Sequence, residues 1–142
     1  VKVLVDTPIW SLALRRKHRP ENASVQAELA SLIVDGRVAM IGPIRQELLS
    51  GIKERPHFDR LREHLRPFSD IEITSDDYEE AALFFNRCRA KGIQGSNTDF
   101  LICAVAARND FSIFTTDDDF THFAKVLPIA LYDRGMKTIQ ST

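Results

Sequence analysis

The run Val3-Leu4-Val5, closed at once by Asp6-Thr7-Pro8, constrains this chain more than any other feature. Three consecutive apolar residues without alternation fit a strand covered on both faces. Thr7-Pro8 then reads as a helix start, with Thr7 as N-cap and Pro8 at the first helical position. The same grammar recurs downstream. Asn22 to Asp35 carries Val25, Leu29, Leu32 and Ile33 at helical spacing, and Gly36 stops it. Val38-Ala39-Met40-Ile41 reads as a second buried strand, broken by Gly42-Pro43, which open a helix through Leu49. His57 to Leu65 and Asp76 to Lys91 read as amphipathic helices, with a short strand at Ile71-Glu72-Ile73 between them. After a loop marked by Gly92 and Gly95, Thr98 to Arg108 is apolar almost all round and predicts a central buried helix. Phe111 to Phe114 is the next strand, and Val126 to Leu131 holds a last short one. Strands alternating with helices predict an α/β domain with a central, mostly parallel sheet flanked by helices, in an α/β/α arrangement.

A chain of 142 residues can bury roughly two-thirds of its unfolded surface, so one domain over residues 1–142 is expected. The 19 basic and 20 acidic side chains leave a formal net charge of -1, which argues mildly against a protein that coats nucleic acid. The basic residues are unevenly spread: Arg15-Arg16-Lys17-His18-Arg19 form one cluster, and Arg45, Lys53, Arg55, Arg60, Arg62 and Arg66 a looser one. A local basic rim around an acidic site would vanish in the net count. Cys88 and Cys103 lie in helical segments and read as free, buried thiols of a reducing compartment. No signal peptide is visible, and the longest apolar run, Phe100 to Ala107, is far too short to span a bilayer. A cytoplasmic protein with no membrane partner is expected.

In parallel sheets, sites form beyond the carboxyl ends of the strands. That rule selects Asp6 after the first strand and Asp117 after Ser112-Ile113-Phe114. Asp99 lies in the first turn of the buried helix, and Glu47 lies in the helix after the second strand. Each has an ordinary alternative, since acids at helix starts cap the helix or face its positive end. Two details favour a shared cleft. At ~100° per residue Glu47 stands about 60° from Ile44, so it borders the buried face shared by Ile44, Leu48 and Ile52. Asp99 opens a helix whose next residues, Phe100 to Val105, leave little room for solvent. Four clustered carboxylates would resist ionisation, and a divalent cation offsets that repulsion. Oxygen ligands without a Cys or His cluster favour Mg²⁺, with Mn²⁺ an option, over zinc. Such ions activate water and stabilise charge growing on a phosphodiester, so metal-assisted hydrolysis is the implied chemistry.

The segments Val3-Leu4-Val5-Asp6-Thr7, Gln46-Glu47-Leu48-Leu49-Ser50-Gly51, Thr98-Asp99-Phe100-Leu101-Ile102-Cys103-Ala104 and Thr115-Thr116-Asp117-Asp118-Asp119-Phe120 resemble, in order, the motifs of PIN domains. Length and short loops look like the VapC-type toxins of toxin–antitoxin pairs, and the resemblance covers essentially the whole chain. It implies a ribonuclease in which Asp6, Glu47, Asp99 and Asp117 are the catalytic, metal-binding acids, with Asp119 an additional ligand. It further implies that Thr7 and Thr115 place hydroxyls near the metal or its waters and that metal-activated water attacks RNA without a protein nucleophile. A cognate antitoxin and a homodimer are the implied partners. Beside such a site, Arg15 and Arg16 become a phosphate grip where they would otherwise be a solvated helix end.

Two other readings fit less of the chain, and a third fits it equally. A phosphoryl transferase using Asp6 as nucleophile would want a second acid two residues on and a lysine ending a late strand, and neither is there. A non-catalytic RNA- or protein-binding scaffold has little need for all four acids. A solitary PIN nuclease of RNA processing would carry the same acids. Trp10 reads as packed on the first helix, with RNA stacking the alternative; Phe84, Phe85 and Phe100 read as core or a dimer interface, and Asp118 as solvent-facing. His18, His57, His64 and His122 are scattered, with no H-x-x-x-H pair.

Overall fold

Val3, Leu4 and Val5 have no solvent-exposed surface. Successive strand side chains point to opposite faces, so both faces of this strand are covered by other elements. The computed structural model describes residues 1–14 and 19–133. Within them the chain runs β1 (Val3–Val5), α1 (Thr7–Ala13), a 3-10 turn at Pro20–Asn22, α2 (Ala23–Val34), β2 (Val38–Ala39), α3 (Gly42–Leu49) and α4 (Arg55–Leu65). It continues through α5 (Ser75–Ala90), α6 (Asn97–Asn109), β3 (Ser112–Phe114), α7 (Asp119–Phe123) and β4 (Ala130–Leu131). The four strands pair in parallel in the order β2-β1-β3-β4. The expected α/β fold with a parallel sheet is therefore the observed one.

The strand order places the site. From β1 the chain crosses to β2 on one side, then returns past β1 to β3 on the other. A crevice opens beyond the carboxyl ends of adjacent strands at such a reversal. Asp6 leaves the end of β1, and Thr115 leaves the end of β3 beside it, in a register that pairs Val5 with Phe114.

The buried helix is α6, in which Phe100 to Ala106 are all buried. It packs along α5, whose Ala81, Phe84 and Cys88 face inward. Cys88 and Cys103 are both buried and free. A buried charge pins this helix pair at its far end. Asp77 is only 1% exposed, accepts from the Thr74 N–H at 2.9 Å, and lies 3.1 Å from the Arg108 guanidinium of α6. Arg108 also donates to the Thr74 hydroxyl.

Three local expectations change. Ile71-Glu72-Ile73 is not a strand: among the described residues the only pairing there is a single bridge of Met40 with Asp70, with the Ile71 N–H donating to the Met40 carbonyl at 2.8 Å. The reason is Arg45, whose guanidinium binds the Phe68 and Leu65 carbonyls and the Asp70 carboxylate. Asp77 then claims the Thr74 N–H, so the segment is held at both ends by side chains instead of by a strand ladder. The N-cap of α1 is Asp6, which accepts from the Thr7 N–H at 2.8 Å, and Thr7 is the first helical residue. Finally, α7 is a helix the strand-and-loop reading does not contain; its Phe120 and Phe123 are buried one turn apart. No helix among the described residues is long and apolar enough to cross a membrane.

Candidate metal centre and active-site cleft

A cleft of about 450 Å³ opens at the carboxyl edge of the sheet and is lined by Asp6, Glu47, Asp99 and Asp117 together. Each arrives by a different local cause. Asp6 is placed by its turn from β1 into α1 and is only 6% exposed. Its two oxygens are both engaged: one takes the Thr7 N–H, and the other takes the Thr115 hydroxyl at 2.8 Å. Glu47 projects from the outer side of α3, where its carboxylate accepts the Thr7 hydroxyl at 2.9 Å. It borders the buried Ile44 and Leu48 as the helical spacing predicts, whereas Ile52 lies beyond the end of α3.

Asp99 is fixed by a reciprocal cap at the start of α6. The Asp99 N–H donates to the Ser96 hydroxyl and the Ser96 N–H donates to Asp99, both at 3.1 Å. This capping box satisfies two helix-end donors and locks the carboxylate over the first turn. Asp117 is set by the loop after β3: its N–H donates to the Thr115 hydroxyl at 3.0 Å, and its carboxylate accepts the Asp119 N–H at 2.9 Å. Thr115 thus links the two strands' acids, donating to Asp6 while accepting from Asp117.

Asp99, Asp117 and Asp119 each offer a carboxylate oxygen within 4.8 Å of the others. A small octahedral cation with ligands at about 2.1 Å holds opposite oxygens about 4.2 Å apart. Slight rotations of these partly exposed side chains would therefore close on one ion. The donor set is all oxygen, which fits Mg²⁺ or Mn²⁺. Cys103 lies nearby, but burial pushes its thiol up and keeps it neutral, so it supplies no thiolate ligand. Asp6 and Glu47 form the other wall, joined through Thr7 and lying outside the tight triad. Asp119 borders a smaller neighbouring hollow with Gly92, Ile93, Gln94 and His122.

The electrostatics also fit a cation. Burial pushes the Asp6 carboxyl up to about 6, against the pull of Thr115 and Thr7 hydrogen bonds, and the charges of Asp99 and Glu47 add to the rise. Burial likewise raises Asp99, opposed by its two Ser96 hydrogen bonds and reinforced by the Asp117 and Asp119 charges. Desolvation is the largest cause in both cases, and a nearby positive ion would counter it. No Lys or Arg lines the cleft among the described residues.

The remaining residues separate cleanly. Trp10 is buried, donates to the Val5 carbonyl at 3.2 Å and meets the Phe68 ring edge-on, so it belongs to the core. Asp118 is exposed. The hydroxyls of Thr7 and Thr115 hold carboxylates, as described. Arg15, Arg16 and His18 lie outside the described residues. Gln46, Ser50, Ser96 and Thr98 also line the cleft and were not singled out from the sequence. Ser96 was findable there, since Ser-x-x-Asp before an apolar run is a capping signature.

Comparison with known proteins identifies the fold and the family. The PIN domain profile matches residues 3–126. No curated protein matches by sequence at a significant level. Among solved structures, the chain is similar to FitAcB from Neisseria gonorrhoeae, with a TM-score of 0.75 at 21% identity over 93% of this chain and 97% of that one. VapBC2 from Rickettsia felis, bound to a DNA fragment from its promoter, gives 0.75 at 19% identity over 93% and 98%. A toxin–antitoxin complex from Klebsiella pneumoniae gives 0.64 at 18% identity over 93% and 99%. At these identities the likeness is one of fold, and the profile match supplies the family: this chain belongs to the PIN-domain family.

Proposed function

We propose that the chain is an Mg²⁺-dependent endoribonuclease, able to use Mn²⁺, and the toxin of a toxin–antitoxin pair in the cytoplasm. The observation that carries the reading is the convergence of Asp6, Glu47, Asp99, Asp117 and Asp119, from four separate segments, on one sheet edge. So much unpaired negative charge in one place is costly unless a cation is to be held there. Asp99, Asp117 and Asp119 would hold it, with Asp6 and Glu47 completing the shell from the opposite wall. When bound, the cation would lower the pKa of a water and offset charge developing on the phosphodiester. The chain's own residues then orient. Ser96 fixes Asp99, while Thr115 holds Asp6 and the Asp117 backbone in one register. Water is the attacking group in this reading, so cleavage needs no neighbouring 2′-hydroxyl and leaves no 2′,3′-cyclic phosphate. Cyclic phosphate termini on the products would count against it.

The toxin role is supported by the fold neighbours, which include toxin–antitoxin complexes. A cognate antitoxin would silence the nuclease by covering the cleft. Arg15 and Arg16 remain proposed phosphate contacts. The proposed homodimer surface is the outward face of α5. Tyr78, Ala82 and Phe85 recur there at helical spacing beside an apolar groove of about 480 Å³ that continues onto Phe100 and Leu101 of α6. Expression of the chain alone should arrest growth, and a small protein encoded next to it should relieve the arrest. Harmless expression of a protein that still cuts RNA when purified would favour a processing nuclease without an antitoxin.

A further inference from the structure

Gly95 stands where a Cβ would collide with buried rings, and the reason is neither a turn nor a positive φ. A Cβ at this position would lie 2.6 Å from the Phe123 Cζ and 3.0 Å from the Phe100 Cε2 and Cζ. Those rings cannot swing out. Phe100 is 1% exposed and Phe123 is fully buried. Phe123 packs on Phe100 with centroids 4.9 Å apart and edge-on to Phe120 at 5.1 Å, while Phe100 also meets Phe85. To reach ordinary contact at about 3.4 Å the Phe123 ring edge would have to retreat by about 0.8 Å in a close-packed interior.

What these rings carry is the acidic triad. Phe100 directly follows Asp99 at the start of α6. Phe120 and Phe123 belong to α7, whose first residue is Asp119. Gly95 itself precedes Ser96, the residue that exchanges hydrogen bonds with Asp99. The backbone at Gly95 therefore lies against the seam between the two helices whose N-terminal acids must meet within 4.8 Å.

We propose that Gly95 is a positioning residue: its missing side chain lets α7 seat closely against the start of α6, and that seating sets the gap between Asp99 and Asp119 to suit a small octahedral cation. The inference rests on the metal-dependent reading above. Mg²⁺ tolerates little departure from oxygens at about 2.0–2.1 Å, so the gap should matter more for Mg²⁺ than for larger ions.

The test is metal binding to the purified full chain, with no RNA present, following Mn²⁺ by electron paramagnetic resonance and Mg²⁺ and Ca²⁺ by competition. Gly95→Ala is expected to weaken Mg²⁺ by roughly tenfold or more, the scale of supporting-shell changes at metal sites, and Ca²⁺ by less. Adding Phe123→Leu, which removes the ring atom nearest the new methyl, should bring the Mg²⁺ affinity and the Mg²⁺-to-Ca²⁺ ratio back toward wild type. Should Gly95→Ala alone fail to fold, the double variant carries the test: folded with near-native Mg²⁺ affinity supports the proposal, and any other result overturns it. A folded Gly95→Ala that loses thermal stability but keeps both affinities also overturns it, because Gly95 would then serve packing only. Wild-type chain that binds none of these ions refutes the metal reading itself, a result distinct from either.

Discussion

Replacing Asp6 by Asn should abolish cation-dependent activity and yet make the metal-free protein more stable at neutral pH. Asp6 is buried, and its carboxyl sits at about 6 against an ordinary 3.8. A rise of about two units corresponds to about 3 kcal/mol. The sign follows from linkage. A folded-state pKa above the unfolded one means the stabilising contribution is complete below about 4 and is lost as pH rises through about 6. At pH 7.5 the wild-type fold therefore carries the full cost of an ionised, poorly solvated carboxylate. Asn at this place can still accept the Thr7 N–H through its oxygen. Its amide would donate to the Thr115 oxygen, which already accepts from Asp117, so the Thr115 proton must find another acceptor, at about 1 kcal/mol. The net gain is about 2 kcal/mol. For a 142-residue chain, about 2.1 cal/mol/K of unfolding entropy per residue converts this to a rise in Tm of roughly 7 °C. The assay is thermal unfolding in EDTA at pH 7.5 and again at pH 4.5, where the difference between the two proteins should shrink to about 2 °C or less. Saturating Mn²⁺ at pH 7.5 should raise the wild-type Tm by more than that of Asp6→Asn. A variant less stable than wild type in EDTA at pH 7.5, or a difference that ignores pH, would refute the reasoning.

Thr115→Val should cost about tenfold in turnover with a change in stability of about 1 kcal/mol, because one hydroxyl both holds Asp6 and accepts from Asp117; steady-state cleavage kinetics beside thermal melts would check it. Asp77→Ala should destabilise the fold by about 1 to 2 kcal/mol, through loss of the α5 capping box, while the half-exposed Arg108 turns to solvent. Its Mn²⁺ affinity should equal wild type, since the pair lies at the end of the α5–α6 contact away from the acids; titration of the folded variant would measure this.

The fold was largely legible because its strands are short apolar runs followed at once by helix starts. Val3-Leu4-Val5 before Thr-Pro, and Val38-Ala39 before Gly-Pro, left little choice of period. The errors came where side chains override local pattern. Ile71-Glu72-Ile73 alternates like a strand, yet Arg45 from another helix occupies the acceptors beside it. The helix at Asp119–Phe123 spans only five residues, too few for a period to stand out in the sequence. The acids were visible by their places after strands and at helix starts. Their division was not: Asp119 stands with Asp99 and Asp117, while Asp6 and Glu47 are joined through Thr7. That grouping depends on hydroxyl partners brought together from distant segments, Thr115 with Asp6 being 109 residues apart. Gly95 marked only a loop in the sequence, because its steric role appears only once α6 and α7 are packed.

The central claim, that five converging acids make a cation-dependent ribonuclease, is tested most directly by one assay. Purified wild-type chain is incubated with single-stranded RNA in Mg²⁺, in Mn²⁺ and in EDTA, alongside Asp99→Asn handled identically. Cleavage with either cation, absent in EDTA and reduced by at least about a thousandfold in Asp99→Asn, about 4 kcal/mol of lost transition-state stabilisation, is the predicted result. Equal cleavage in EDTA, or an Asp99→Asn protein as active as wild type, would contradict it.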